Sequence, residues 1–168
     1  MKSIEIIGAN YAGNWDRARR ACRAILAKDG KILCSYETVT DQWMIPGGGL
    51  EDGESEEACC IREVREETGF LIRPSECFLE IDEYYQHERF ISRYFTGEIT
   101  GETERLLTAW ERETGMEPRW IPLEEILKIF SQYASYAETD QMRRGLYYRE
   151  YRALCEYVRI AETGGEKL

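Results

Sequence analysis

The sequence predicts an α+β fold with strands outnumbering helices, in one domain spanning residues 1–168. Three observations carry this. Asp29-Gly30 lies between two apolar runs, the strongest short signal for a β-hairpin. Residues 77–85 and 89–99 are rich in the aromatic and β-branched side chains that strands favour. Residues 55–68 switch to helical spacing and stop at Gly69, a residue suited to the left-handed end of a helix. A chain of 168 residues is long enough to bury a core without disulfide or metal staples.

The elements follow in order. Ile4-Glu5-Ile6-Ile7 is a short strand or a loosely attached arm. Ala21 to Ser35 reads as a hairpin turning at Lys28-Asp29-Gly30-Lys31, and Gln42 to Ile45 as a short strand stopped by Pro46 and three glycines. A helix over 55–68 precedes strands at Cys77–Tyr85 and Arg89–Ile99. The Glu-rich stretch 100–117, with Gly101 and Gly115, reads as a loop or ragged strand pair. Arg119-Trp120-Ile121 is a strand, and Pro122 opens a helix through about Ser131. A long last helix covers Glu138 to Ala161, leaving Glu162–Leu168 to fray. Its apolar stripe is Met142, Leu146, Tyr147, Tyr151, Leu154, Tyr157 and Val158. Arg143, Arg144, Arg149, Arg152 and Arg159 lie largely off that stripe, in water. The same surface offers a route to a homodimer, since Tyr and Arg are enriched at interfaces.

Composition excludes several function classes. With 22 basic and 32 acidic residues, the net charge of −10 is the wrong sign for gripping long nucleic acid. A small anionic substrate stays open if a metal cation mediates. No apolar run reaches the roughly 20 residues of a membrane span, and Met1-Lys2-Ser3-Ile4-Glu5 lacks a signal-peptide pattern. Both observations favour the cytoplasm. A single histidine, His87, disfavours Ser-His-Asp or Cys-His catalysis and His-rich zinc sites. Cys22, Cys34, Cys59, Cys60, Cys77 and Cys155 form no CxxC pair and read as reduced, mostly core thiols.

The chemistry concentrates in residues 47–70. On a helix Glu63, Glu66 and Glu67 share one face, with Ala58, Ile61 and Val64 on the opposite face against a sheet. Like charges at such spacing repel by roughly 0.2–0.5 kcal/mol per pair. A hard dication such as Mg²⁺ or Mn²⁺ would favour that cluster of oxygen donors. Arg62, four residues before Glu66, can orient a carboxylate, and Gly47-Gly48-Gly49 lets a phosphate or a backbone carbonyl approach closely.

From Gly48 the string runs Gly, five residues, Glu54, seven residues, Arg62-Glu63-Val64, Arg65, Glu66-Glu67, Thr68, Gly69-Phe70. It resembles the box of the Nudix hydrolases, MutT-like enzymes, at every specified position from Gly48 to Phe70. Trp43-Met44-Ile45-Pro46-Gly47-Gly48 resembles the strand and turn entering that box, and Arg119 to Glu125 the strand and helix closing the domain. The resemblance implies an α/β/α sandwich with a curved mixed sheet. It also implies Mg²⁺- or Mn²⁺-dependent hydrolysis of a diphosphate bond in a nucleoside di- or triphosphate derivative, water attacking in line. By resemblance Glu63 and Glu67 bind metal, Glu66 shares it, and the Gly47 carbonyl adds a ligand. Arg62 orients a helix carboxylate, and Glu54 ties the loop to the helix N-terminus. The general base is on the helix, as Glu66, or in a later loop among Glu111, Glu113 and Glu117, of which Glu111 is favoured.

Substrate identity is where the residues give least. Glu83-Tyr84-Tyr85-Gln86-His87 lacks the proline that some ADP-ribose-cleaving relatives carry after the box. Tyr36, Tyr85, Phe95 and Trp110 could stack on a base, although core positions suit each of them. His87 is a surface residue or a phosphate contact. The competing class is an inactive Nudix fold that binds a nucleotide or protein; such relatives usually lose a box carboxylate, and this chain keeps them all. Removal of mRNA caps would need a basic path for RNA that a charge of −10 does not supply.

Overall fold

The computed structural model describes residues 1–164. Strands β1 (Lys2–Ile7), β2 (Arg17–Ile25), β6 (Gly47–Gly49), β7 (Phe70–Tyr85) and β8 (Glu88–Glu102) form a mixed sheet in the order β1-β7-β8-β2-β6. β1 runs parallel to β7 and β2 parallel to β8, whereas β7–β8 and β2–β6 are antiparallel. A second, antiparallel sheet is built on β4 (Lys31–Glu37), which pairs with β3 (Ala27–Lys28), β5 (Gln42–Met44) and β9 (Met116–Pro122). Helix α1 (Glu56–Thr68) carries the motif. A short α2 (Ala109–Glu113), then α3 (Leu123–Ser131), a 3₁₀ turn (Gln132–Tyr136) and α4 (Gln141–Gly164) complete the chain.

Alternating side chains give the five-stranded sheet two apolar faces. Cys22 and Ala24 of β2, Ile72 and Phe95 point to one face and meet Cys59, Cys60 and Val64 of α1. Ile25, Leu79, Ile81 and Tyr94 point to the other and meet Ile126, Phe130, Tyr147 and Leu154 of α3 and α4. The result is helices on both sides of a mixed sheet, the expected sandwich.

Several expectations need correction. The predicted hairpin over 21–35 is only its tip: Asp29 and Gly30 both take positive φ, closing a two-residue turn between Lys28 and Lys31. β2 leaves for the other sheet, where it pairs with β8 and β6. Ile4–Ile7 belongs to a paired strand rather than an arm. The three glycines expected to stop a strand form β6 themselves. The 100–117 segment holds α2, started by a Thr108–Glu111 capping box. On α1, Ala58 is exposed and the buried positions are Cys59, Cys60, Val64, Glu67 and Thr68. On α4, Met142 is 88% exposed, so the apolar stripe starts later. Arg149 and Arg143 are not in water, their side chains being only 12% and 17% exposed. The helix continues to Gly164 where fraying was expected from Glu162, and the remainder of that expectation, residues 165–168, lies outside the described residues. All six cysteines are free thiols, four of them buried, with Cys77 half-buried and Cys155 exposed. Among the described residues no helix is long and apolar enough to cross a membrane.

Candidate active site

Helix α1 starts and stops where local chemistry dictates. The Ser55 hydroxyl accepts from the Ala58 N–H at 3.1 Å, Glu56 and Glu57 complement the helix dipole, and Gly69 at φ 78° donates its N–H to Arg65. The glycine strand packs against it without side-chain bulk. Gly47 has φ 145°, and a Cβ there would sit 2.2 Å from the Cys22 carbonyl oxygen. A Cβ on Gly48 would sit 2.4 Å from the Glu63 carboxylate, so this carboxylate lies directly over the loop backbone.

Arg62 is the hub of the motif. Its Nε and Nη2 each donate to Glu54 at 2.8 Å, a two-pronged pair, and Nη2 also donates to the Gly49 carbonyl at 2.9 Å. Nη1 donates to Glu63 at 2.8 Å and to Glu66 at 3.4 Å. Glu54 further accepts from the Glu51 N–H at 3.1 Å, which ties loop to helix. The Arg62 guanidinium holds the Glu54 carboxyl down to about 2.

Glu67 is the opposite case. Its carboxylate is buried, and Oε2 accepts from the Ser35 hydroxyl at 2.6 Å and the Gly47 N–H at 3.2 Å. Burial pushes its carboxyl up to about 8, the charge of Glu63 adding to the shift while Ser35 and Arg23 oppose it. Burial also raises Glu63, against the pull of Arg62. Glu63 and Glu67 thus face the glycine loop as oxygens whose charge the protein leaves undercompensated. With Glu66 and the Gly47 carbonyl they make an all-oxygen donor set, which fits Mg²⁺ or Mn²⁺. Among the described residues no three acidic, His or Cys side chains are gathered closely enough to hold an ion by themselves. Arg62 stands between Glu63 and Glu66 instead.

Glu111 lies in α2, where its carboxylate accepts from the Thr108 N–H at 2.7 Å as part of the cap. The irregular segment leading to it lies against the end of α1, the Leu106 N–H bonding the Glu66 carbonyl at 2.9 Å. Glu113 is exposed, and Glu117 pairs with Arg119 at 2.5 Å. Phe95 is buried under α1 and is unavailable for stacking on a base, because its position on β8 points to the apolar face. Tyr36 stacks on Trp43 with Arg119 over its ring, Tyr85 packs beside Gly145 of α4, and Trp110 is 66% exposed. His87 is exposed at the turn between β7 and β8.

Two residues escaped the sequence reading. Ser35 holds Glu67, and Arg23 donates from Nη1 to the carbonyls of Ile45 at 3.2 Å and Gly47 at 3.0 Å. Neither sits in a motif. Strand alternation was the only available signal, and it places Ser35 on the α1 side of β4 beside Leu33.

A family model described as the NUDIX domain matches residues 16–141. Diphosphoinositol polyphosphate phosphohydrolase 3-alpha of Mus musculus is 29% identical over 115 residues, 67% of either chain. An RNA pyrophosphohydrolase of Dinoroseobacter shibae is 29% identical over 93 residues, covering 51% of this chain and 58% of that protein. Among solved structures, a NUDIX hydrolase from Nitrosomonas europaea aligns with TM-score 0.58 at 23% identity, covering 80% of this chain and 88% of that one. A MutT NUDIX hydrolase from Burkholderia pseudomallei aligns at TM-score 0.51 and 21% identity, covering 65% and 86%. These likenesses establish the fold, and the family match extends over most of the chain. With a complete box folded onto its glycine loop, the chain belongs to the Nudix family of hydrolases, which act on acid anhydrides.

Proposed function

We propose that residues 1–168 form one cytoplasmic enzyme domain that hydrolyses a diphosphate bond in a nucleoside di- or triphosphate derivative. The observation that carries this reading is the buried Glu67 carboxylate, held by the Ser35 hydroxyl and the Gly47 N–H, beside Glu63 and the Gly47–Gly49 backbone. Nudix hydrolases generally use a divalent metal, and Mg²⁺ or Mn²⁺ held by Glu63, Glu66, Glu67 and the Gly47 carbonyl would neutralise charge on the phosphate oxygens. Arg62 keeps Glu63 and Glu66 oriented while Glu54 anchors Arg62 to the loop. Glu66, half-buried at the helix face, takes the proton from the attacking water at a carboxylate oxygen. Glu111 is the second choice, since its carboxylate already caps α2. The glycine backbone lets the phosphates approach without steric opposition.

A denser polyanion is a second substrate reading. Arg17 and Arg19 lie two apart on β2, hence on one face, and the Arg19 guanidinium is 3.2 Å from where a Gly49 Cβ would be. The mouse relative's name, a diphosphoinositol polyphosphate phosphohydrolase, points the same way. The deciding experiment is a panel of NTPs, dNTPs, nucleotide sugars, dinucleoside polyphosphates, ADP-ribose and diphosphoinositol polyphosphates with Mg²⁺ or Mn²⁺, reading released phosphate or pyrophosphate. Turnover of one class with none on simple monoesters is expected. An inert panel replaces this reading with the nucleotide- or protein-binding module. We also propose a homodimer through the Tyr- and Arg-rich surface of α4; light scattering that gives a monomer mass at micromolar concentration rejects it.

A further inference from the structure

The face of the mixed sheet under α4 holds a buried ionic network that the hydrolytic reading leaves unused. Glu150 of α4 is fully buried. Its Oε2 accepts from the Tyr94 hydroxyl at 3.0 Å, and its Oε1 accepts from Arg149 Nη2 at 2.7 Å and lies 4.0 Å from Arg23 Nε. Arg149 also donates from Nε to the Tyr94 hydroxyl at 3.1 Å and pairs with the buried Glu83 at 3.5 Å. Arg23 and Tyr94 are direct partners in the β2–β8 register, so Glu150 lies above both.

Such a network is a poor way to stabilise a core. Removing charges from water costs about as much as their mutual attraction returns, and apolar replacements are often neutral or better. Its geometry serves another end. Arg23 Nη1 spans the Ile45 and Gly47 carbonyls, while the Ala24 N–H holds the intervening Pro46 carbonyl at 3.1 Å. Three successive carbonyls entering the glycine loop are therefore fixed by two successive residues of β2. The Gly47 peptide, at φ 145°, is the one the family reading makes a metal ligand.

We propose that Arg23 is a positioning residue for the Gly47 carbonyl and that Glu150 holds Arg23 in that role, making α4 a working part of the active site. The inference rests on the proposed hydrolytic function but is readable without turnover. An apolar side chain at position 23 would leave two loop carbonyls without the Nη1 donor they share; a lysine, one atom shorter, ends before the place that Nη1 occupies between them. Loss of Glu150 would leave the Arg23 charge buried with no anion at its Nε, free to turn towards Glu63 or Glu67.

The test compares Arg23→Lys and Glu150→Gln with Glu156→Gln, which removes another buried carboxylate of the same helix from its pairings with the solvent-facing Lys2 and Arg159, away from the loop. Three quantities are read: kcat and KM on whichever panel substrate is turned over, Mn²⁺ affinity by paramagnetic resonance, and hydrogen exchange of the Gly47–Gly49 amides in metal-free protein. Expected for Arg23→Lys and Glu150→Gln are a kcat about 10- to 100-fold lower with KM within about threefold, Mn²⁺ binding about 10-fold weaker, and faster loop exchange. Glu156→Gln should lower the melting temperature and leave all three readouts at wild-type values. If the first two variants merely melt earlier, with kcat, Mn²⁺ affinity and loop exchange unchanged, the network is structural and the proposal falls. Should Glu150→Gln fail to fold, Arg23→Lys alone decides by the same criteria. If wild-type protein turns over nothing, the hydrolytic reading fails, whereas loop exchange and Mn²⁺ affinity still decide for or against the positioning role.

Discussion

Glu54 and Glu67 belong to one motif and sit thirteen residues apart, yet the protein treats them oppositely. Glu54 lies near the surface with both oxygens on the Arg62 guanidinium, and its carboxyl is held down to about 2. Glu67 is buried, receives one hydroxyl and one amide, and its carboxyl is pushed up to about 8. One carboxylate is finished as an anion; the other is left short of positive charge. Glu54 serves the architecture of the loop, whereas Glu67 is where the proposed metal would supply the missing positive charge.

The largest effect should come from Glu67→Gln, which removes the uncompensated charge and keeps shape. Activity should drop by about 10² or more, and excess EDTA should abolish wild-type turnover until Mg²⁺ or Mn²⁺ is restored. Turnover indifferent to chelation would erase the contrast between the two carboxylates. Arg62→Lys should cost less, about 10-fold in kcat, because a lysine cannot hold Glu54, Glu63 and the Gly49 carbonyl together. Steady-state kinetics at saturating metal would measure it.

Ser55→Ala removes the α1 cap and should lower unfolding free energy by about 1 kcal/mol, read by denaturant melts. It should leave the chemistry of both carboxylates alone. The subtlest difference is in pH. Glu67 is raised, so the metal-free fold binds more protons than the unfolded chain between about 4.5 and about 8, and its stability falls as pH rises through that window. Glu54 is lowered, so its contribution is present above about 4.5 and is lost as pH falls towards about 2. Melting metal-free protein from pH 3 to pH 9 should show Glu67→Gln flattening the alkaline limb and Glu54→Gln the acid limb. The same limb lost in both variants would show that the two carboxylates are not independent.

Much of the site was legible before folding was considered. Helix α1 runs from Ser55 to Gly69 as read, because a cap and a left-handed glycine act within four residues of the bonds they complete. Arg62 reaches Glu66 one turn away for the same reason. The turn at Asp29-Gly30 was equally local. The switch of β2 into the other sheet was not, since the pattern of 17–25 suits a strand in either sheet and only the positions of β8 and β6 select one. Arg149 reads as a solvated helix charge and Glu150 carries no signal along the chain, because their partners, Glu83, Tyr94 and Arg23, come from distant strands.

By itself, the sequence determined the spacing of the acidic motif, the ends of its helix and hence the family, all of which depend on neighbours along the chain. Tertiary structure decided which carboxylate is buried, which hydroxyl and amide reach it, and which arginine holds the Gly47 carbonyl. Burial sets the cost of a charge, and burial is a property of elements that meet only when the two sheets close against α1 and α4.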